Sequence, residues 1–223
     1  LEEIKTSLAK TSSRIDYKLL ISKKFRPVLV LGLALAFFQQ WCGINIVFNY
    51  AEEVFSSAGF GVSASLLNIV ATGVVNLVFT LLALRTVDRW GRRKLMLIGA
   101  AGLALTYLLL GTAYYVNLSG TLVLMVILVA IGLYGLTLAP VTWVILSEIF
   151  PNRIRGAAMA LASTTLWIAS TLLVLLFPII KSKIYIYGAF WLYAAICVLG
   201  FFYVKVKLPE TKGKSLEEIE KLF

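Results

Sequence analysis

The sequence predicts an all-α integral membrane protein with six spans, and three observations carry that prediction. The 223-residue chain is 60% hydrophobic with a mean hydropathy of +0.91, against roughly 45–50% apolar residues in a soluble domain. Formal charge is cleared from five long intervals, and the longest, between Lys94 and Glu148, has room for two spans of about 20 residues each. A single charge at the centre of a span costs about 2.5–3.5 kcal/mol on insertion, so intervals this clean mark bilayer crossings. The third observation is where the cations lie. With six spans, 19 of the 21 Lys and Arg fall on one side and only Lys181 and Lys183 on the other. The positive-inside bias makes the basic side cytoplasmic, with both ends of the segment there. The formal net charge of +10 is thereby accounted for without a nucleic-acid partner.

Residues 1–24 are polar and charged, with Leu1, Ile4 and Leu8 at helical spacing, and read as cytoplasmic linker helices. Residues 25–206 form the six-helix bundle and 207–223 a cytoplasmic tail. The first span runs from about Phe25 to Ala51, and Glu52–Val62 makes an outer loop. The second returns through about Ala64–Leu84 with Asn76 in its interior, and Arg85–Lys94 is a tight charged turn. The third, about Leu95–Val116, and the fourth, about Thr121–Ser147, are joined by a turn at Asn117–Gly120. Gly132, Gly135 and Pro140 are expected to break the fourth. The fifth spans about Ala157–Ile180 with Pro178 at its outer end, and the sixth about Ile186–Val204, stopped by Pro209. Ser215 followed by Glu218 is a capping-box pattern that opens a short helix through Leu222. Broken helices in the first and fourth positions give weak three-plus-three symmetry, a common plan for half of a secondary transporter.

The first span carries the chemistry. Gln39, Gln40, Asn45 and Asn49 lie in a run with no formal charge from Pro27 to Ala51. Amides in hydrocarbon need partners, which makes these four candidates to line a cavity. On a regular helix Gln39, Asn45 and Asn49 share an arc of roughly 120°, and Gln40 falls about 100° outside it. Gly43 stands between the pairs, where helical geometry is easily lost. A broken span carrying neutral donors and acceptors suits an uncharged polyhydroxylated ligand. The chain has no His, which removes imidazole chemistry and most metal sites, and no metal or other cofactor is expected. Cys42 and Cys197 both lie in apolar runs and read as packed thiols. No signal peptide is visible, and a chain opening on Leu1 reads as a piece of a longer one.

Four motifs resemble the sugar porters of the major facilitator superfamily. They are Gln39-Gln40-Trp41-Cys42-Gly43-Ile44-Asn45, Asp88-Arg89-Trp90-Gly91-Arg92-Arg93, the stretch from Ser147 through Glu148 and Arg155 to Gly156, and Pro209-Glu210-Thr211-Lys212-Gly213. Their order and spacing match the C-terminal six spans of a twelve-helix fold, which implies an N-terminal six-helix half as partner and a monosaccharide as substrate. By that resemblance Gln39, Gln40, Asn45 and Asn76 hydrogen-bond the sugar, Trp143 packs on its ring, and Tyr134 and Trp167 line the same cavity. Asn49 and Tyr50 belong to an outer lid, and Asp88, Arg92, Glu148 and Arg155 to a cytoplasmic gate. Asn49 stands where the family commonly has a second lid tyrosine, and Ala139-Pro140 where Gly-Pro is usual. Leu166 replaces an amide that contacts the sugar, so one hydroxyl contact is lost.

The function implied is alternating-access movement of a monosaccharide across the cell membrane, with the proton a second candidate partner. The acid that separates symport from facilitated diffusion in the family belongs to the other half. Two rivals stand beside this: a transporter-like sugar sensor, and a porter for a polyol or other polar solute. An enzyme is excluded because no nucleophile, base and orienting acid share one depth of the bilayer.

Overall fold

The computed structural model describes residues 20–220, and every regular element among them is helical. The linker helices expected over residues 1–24 lie outside the described residues apart from the last five, which lead into the first long helix. Lipid offers no water to backbone N–H and C=O groups, so an apolar chain that crosses it must bond them within the segment. Among the described residues five helical paths are long and apolar enough to cross, where the sequence predicts six separate ones. The first is α1 (Arg26–Trp41) continued by α2 (Ile44–Asn49), with α3 (Ala51–Ser57) beyond. Then come α4 (Val62–Trp90), α5 (Arg92–Tyr115), and a second broken path of α6 (Gly120–Leu136) and α7 (Leu138–Ile149). The fifth is α8 (Arg155–Lys207), and a short α9 (Leu216–Glu220) follows it.

The fifth and sixth expected spans are joined in α8, 53 residues long with one non-helical residue, Tyr185 at φ 61° and ψ 176°. Its two limbs run in opposite senses. Trp41 donates to the Ala169 carbonyl and Tyr50 to that of Val174, so the first limb rises alongside α1 and α2. On the second limb Tyr193 meets Gly43, Cys197 the Cys42 carbonyl, and Gly200 Phe38, which reverses the order. The reversal occurs at Tyr185, and Pro178 lies inside the first limb instead of ending it. A proline cannot donate to the carbonyl four residues back, here Val174, and the Tyr50 hydroxyl fills that gap at 2.9 Å.

Three further boundaries differ from the sequence expectation. The outer loop at Glu52–Val62 contains α3, whose first turn carries Glu52 and Glu53, acids that favour a helix N-terminus. The charged segment Arg85–Lys94 is not a loop: α4 continues through Trp90, α5 starts at Arg92, and Gly91 alone makes the turn at φ 87°. Charge marks the end of the hydrocarbon, and a helix need not stop there. The fourth path breaks at Thr137 (φ −125°, ψ −90°). Gly132 and Gly135 stay helical and admit Phe79 and Asn76 of α4 into close contact, as small residues do between membrane helices. Pro140 falls in the first turn of α7, where N–H groups have no helical partner to lose.

The core is aromatic where α5 meets the second limb of α8. Tyr114 stacks on Phe190 with ring centroids 5.6 Å apart, and Tyr107 lies 5.9 Å from Phe190. By contrast, α4 turns Leu66, Val70, Leu77 and Leu81 outward. The predicted capping box is present: Ser215 N–H donates to Glu218 Oε2 at 2.7 Å, and Glu218 N–H to Ser215 Oγ at 3.2 Å. Residues 221 and 222, the expected end of that helix, lie outside the described residues.

Candidate functional site

At the end of α1 the chain passes Gly43 with φ 94°, a left-handed conformation that only glycine adopts without cost. A Cβ there would also lie 2.5 Å from Cγ of Tyr193. The position is therefore closed to other residues on two independent grounds. The break turns the two sides of the amide motif toward each other. Gln39 Nε2 donates to the Tyr134 hydroxyl at 2.6 Å, and Gln40 Nε2 to Gln39 Oε1 at 2.6 Å. Asn45 Nδ2 donates to Gln40 Oε1 and, at 3.4 Å, to Ser170 Oγ on α8. Gln39, Gln40, Asn45 and Tyr134 thus form one hydrogen-bonded chain between α1, α2 and α6. The second Nε2 hydrogens of both glutamines and the Oδ1 of Asn45 bond no described residue. Such a chain both donates and accepts, which is what a ligand hydroxyl requires.

The other expected site residues stand apart from that chain. Asn76 packs on Gly135, one residue from Tyr134 but on the adjacent face of α6. Its Oδ1 is buried with no donor among the described residues. Trp143 lies on α7, 39% exposed, and Trp167 on α8 is 67% exposed. Neither indole joins a described side-chain hydrogen bond or ring stack, and the Trp167 carbonyl accepts from Thr171 Oγ1 at 2.9 Å. Leu166 is buried in the bundle interior, pointing away from the face that Trp167 presents. Asn49 is exposed and bonds back to the Asn45 carbonyl at 2.8 Å. Tyr50 turns inward, with its ring 4.7 Å from that of Phe177. Both contribute to an outer cavity of about 360 Å³ with Glu52, Glu53 and Ser56. Close by, Glu53 pairs with Lys181.

A charge network occupies the opposite end. Arg92 pairs with Asp88 at 3.1 Å and with Glu148 at 2.9 Å. Arg155 is not part of these pairs; its Nε donates to the Phe150 carbonyl at 3.0 Å, closing the turn between α7 and α8. Two residues without an assigned role complete the network. Glu210 accepts from the Arg92 and Arg93 backbone N–H groups at 2.9 and 3.2 Å, placing a carboxylate on the positive end of α5. Thr211 donates its hydroxyl to Glu148 Oε2 at 2.6 Å. The Pro209–Gly213 motif was the signal for both, yet nothing in its spacing tells that it folds back onto Gly91 and Arg92.

The sugar (and other) transporter family model matches residues 1–223. The D-xylose-proton symporter of Escherichia coli is 41% identical over 88% of this chain and 41% of its own length. For the arabinose-proton symporter of Bacillus subtilis the figures are 37%, 100% and 48%. For the glucose facilitated diffusion protein of Zymomonas mobilis they are 40%, 88% and 43%. Among solved structures, the inward-open xylose transporter XylE of E. coli superposes with TM-score 0.83 at 38% identity, covering 100% of this chain and 45% of that one. XylE bound to 6-bromo-6-deoxy-D-glucose gives TM-score 0.80 at 40% identity, covering 87% and 42%. The chain spans a little under half the length of the curated relatives it matches. The motifs, the multi-pass helical fold and the full-length family match agree: the chain belongs to the sugar (and other) transporter family, whose members are transporters and not enzymes.

Proposed function

We propose that this chain is the C-terminal half of a porter that moves a monosaccharide across the cell membrane by alternating access. The observation that carries the proposal is the hydrogen-bonded amide chain folded around the Gly43 break. In this reading Gln39, Gln40 and Asn45 exchange their mutual bonds for bonds to sugar hydroxyls. Asn76 offers its unpartnered Oδ1, and Tyr134 orients Gln39. Trp143 and Trp167, exposed on this half, become walls of a cavity shared with an N-terminal six-helix half. An indole supplies an apolar face with a donor at its rim, which fits a sugar ring. The relatives support the substrate class: their names specify xylose, arabinose and glucose, and one XylE structure holds a glucose derivative.

Counting the two limbs of α8 separately gives six crossings over residues 25–206, between a linker (1–24) and a tail (207–223). The cation distribution supports a cytoplasmic basic end. There Asp88, Arg92 and Glu148, backed by Thr211 and Glu210, act as a gate, with Arg155 fixing the turn beside it. Ion pairs at such a surface contribute about 0–1 kcal/mol each, a bias small enough to reverse as the halves rock. At the outer end Asn49 and Tyr50 form the lid. Two of the relatives are proton symporters by name, and protons are a proposed co-substrate.

The test is counterflow of labelled xylose, glucose, galactose, fructose and inositol in proteoliposomes bearing the complete protein, with Gln40→Ala as control. Exchange of one sugar, lost in the control, is expected, and accumulation under an imposed pH gradient identifies symport. Folded protein that exchanges none of them would sink the proposal.

A further inference from the structure

A second cavity lies at the basic end of the bundle, between the start of α1 and the end of α8. Its volume is about 450 Å³, and Arg26, Pro27, Val30, Leu31, Tyr203 and Lys207 line it. Arg26 is the first residue of α1 and Lys207 the last of α8, so the two cations share one level. One helical turn deeper are Val30 and Tyr203, at i+4 and i−4 from those cations and therefore directly beneath them. Val30 and the neighbouring Val206 are exposed, so the apolar wall continues onto the outer surface of the bundle. Arg92 and Lys181 each have a carboxylate partner, whereas neither Arg26 nor Lys207 has one among the described residues.

Two cations with no carboxylate partner among the described residues, above an apolar groove open to the outer surface, match a ligand with an anionic head and hydrocarbon tails. We propose that this cavity binds an anionic phospholipid of the bilayer, its phosphate between Arg26 and Lys207 and an acyl chain along Val30 and Leu31. Basic pockets between helices at the cytoplasmic side are suited to acidic headgroups, at about 1 kcal/mol for each nearby cation. That is roughly fivefold per residue and about 25-fold for the pair. A soluble phosphate would use the cations alone and leave the groove without a role. The inference rests on the bilayer-spanning reading but not on sugar transport.

The complete protein, exchanged into mixtures of phosphatidylglycerol and phosphatidylcholine with identical acyl chains, is examined by native mass spectrometry for lipid retained after delipidation. Selective retention of phosphatidylglycerol is expected. It should fall on the order of 25-fold in Arg26→Gln with Lys207→Gln. It should also fall in Val30→Trp, which fills the groove and keeps both cations, and stay unchanged in Lys181→Gln. Equal retention of the two lipids by the unaltered protein overturns the inference, as does undiminished selectivity in the double variant. Displacement of the lipid by inorganic phosphate to the same extent in Val30→Trp and the unaltered protein assigns the site to a soluble anion, and also overturns it. Counterflow on the same preparations separates the two proposals: sugar exchange without lipid selectivity breaks this one alone, and lipid selectivity without exchange breaks only transport.

Discussion

The two broken paths, α1–α2 and α6–α7, interrupt their helices by different means. At the first, a glycine takes a left-handed conformation and the flanking side chains are amides bonded to one another. At the second, Thr137 is fully buried, its hydroxyl bonds back to the Leu133 carbonyl, and its side chain fills the space beside Gly99. The first break leaves part of its amide bonding capacity unused among the described residues, with Gln39 and Gln40 buried. The second spends its hydroxyl on its own helix. A pair of breaks in corresponding positions therefore does not imply a pair of binding surfaces: in the proposed reading one is a contact site, and the other is a sealed bend six residues before Trp143.

The sharpest way to break that contrast is Gly43→Val. Left-handed backbone costs about 1–2 kcal/mol for a residue with a Cβ, and overpacking against Tyr193 adds about 1–3 kcal/mol. A large drop in folded yield is expected, read by size-exclusion profile and thermal unfolding in detergent. Unchanged stability would show that the break does not depend on glycine. Next in size is Gln40→Ala, expected to reduce sugar exchange about tenfold or more, since loss of about 1.4 kcal/mol of contacts gives that factor. Retained exchange would move the ligand away from the first break. Tyr50→Phe should cost about 1 kcal/mol of stability by returning the Val174 carbonyl to an unpartnered state beside Pro178. An unshifted unfolding temperature would mean that this carbonyl finds another donor. Thr137→Val is the smallest, also within about 1 kcal/mol, with no change in which sugar exchanges. A change in sugar preference would show that the second break is not sealed.

At the basic end, Glu148→Gln weakens one pair of the network by about 1 kcal/mol or less. It should increase labelling of a cysteine introduced on the cytoplasmic side by up to roughly fivefold. Unchanged labelling would count against a gate.

Much of this contrast is legible in the residues, but unevenly. The Gly43 break is legible because four amides surround a glycine in a charge-free run, and hydrocarbon leaves such groups few arrangements. The Thr137 break is not, because Gly132, Gly135 and Pro140 are stronger local signals and packing on α4 and α5 decides between them. Pro178 misleads in the same way: its effect depends on Tyr50, 128 residues earlier, supplying the lost bond. The Asp88–Arg92 pair follows from i,i+4 spacing once α4 and α5 are known to meet at Gly91 alone. Glu210 is a tertiary partner that no local pattern announces.

Both cysteines of the chain, Cys42 and Cys197, form no disulfide and are wholly buried beside the Gly43 break. Aqueous thiol reagents are therefore expected to meet a silent background in this chain. A single cysteine placed at Asn49, at Trp143 or beside Asp88 becomes a clean reporter of the proposed outer lid, the proposed cavity wall or the basic end. Neither native cysteine has to be removed first, and the packing around the break stays untouched.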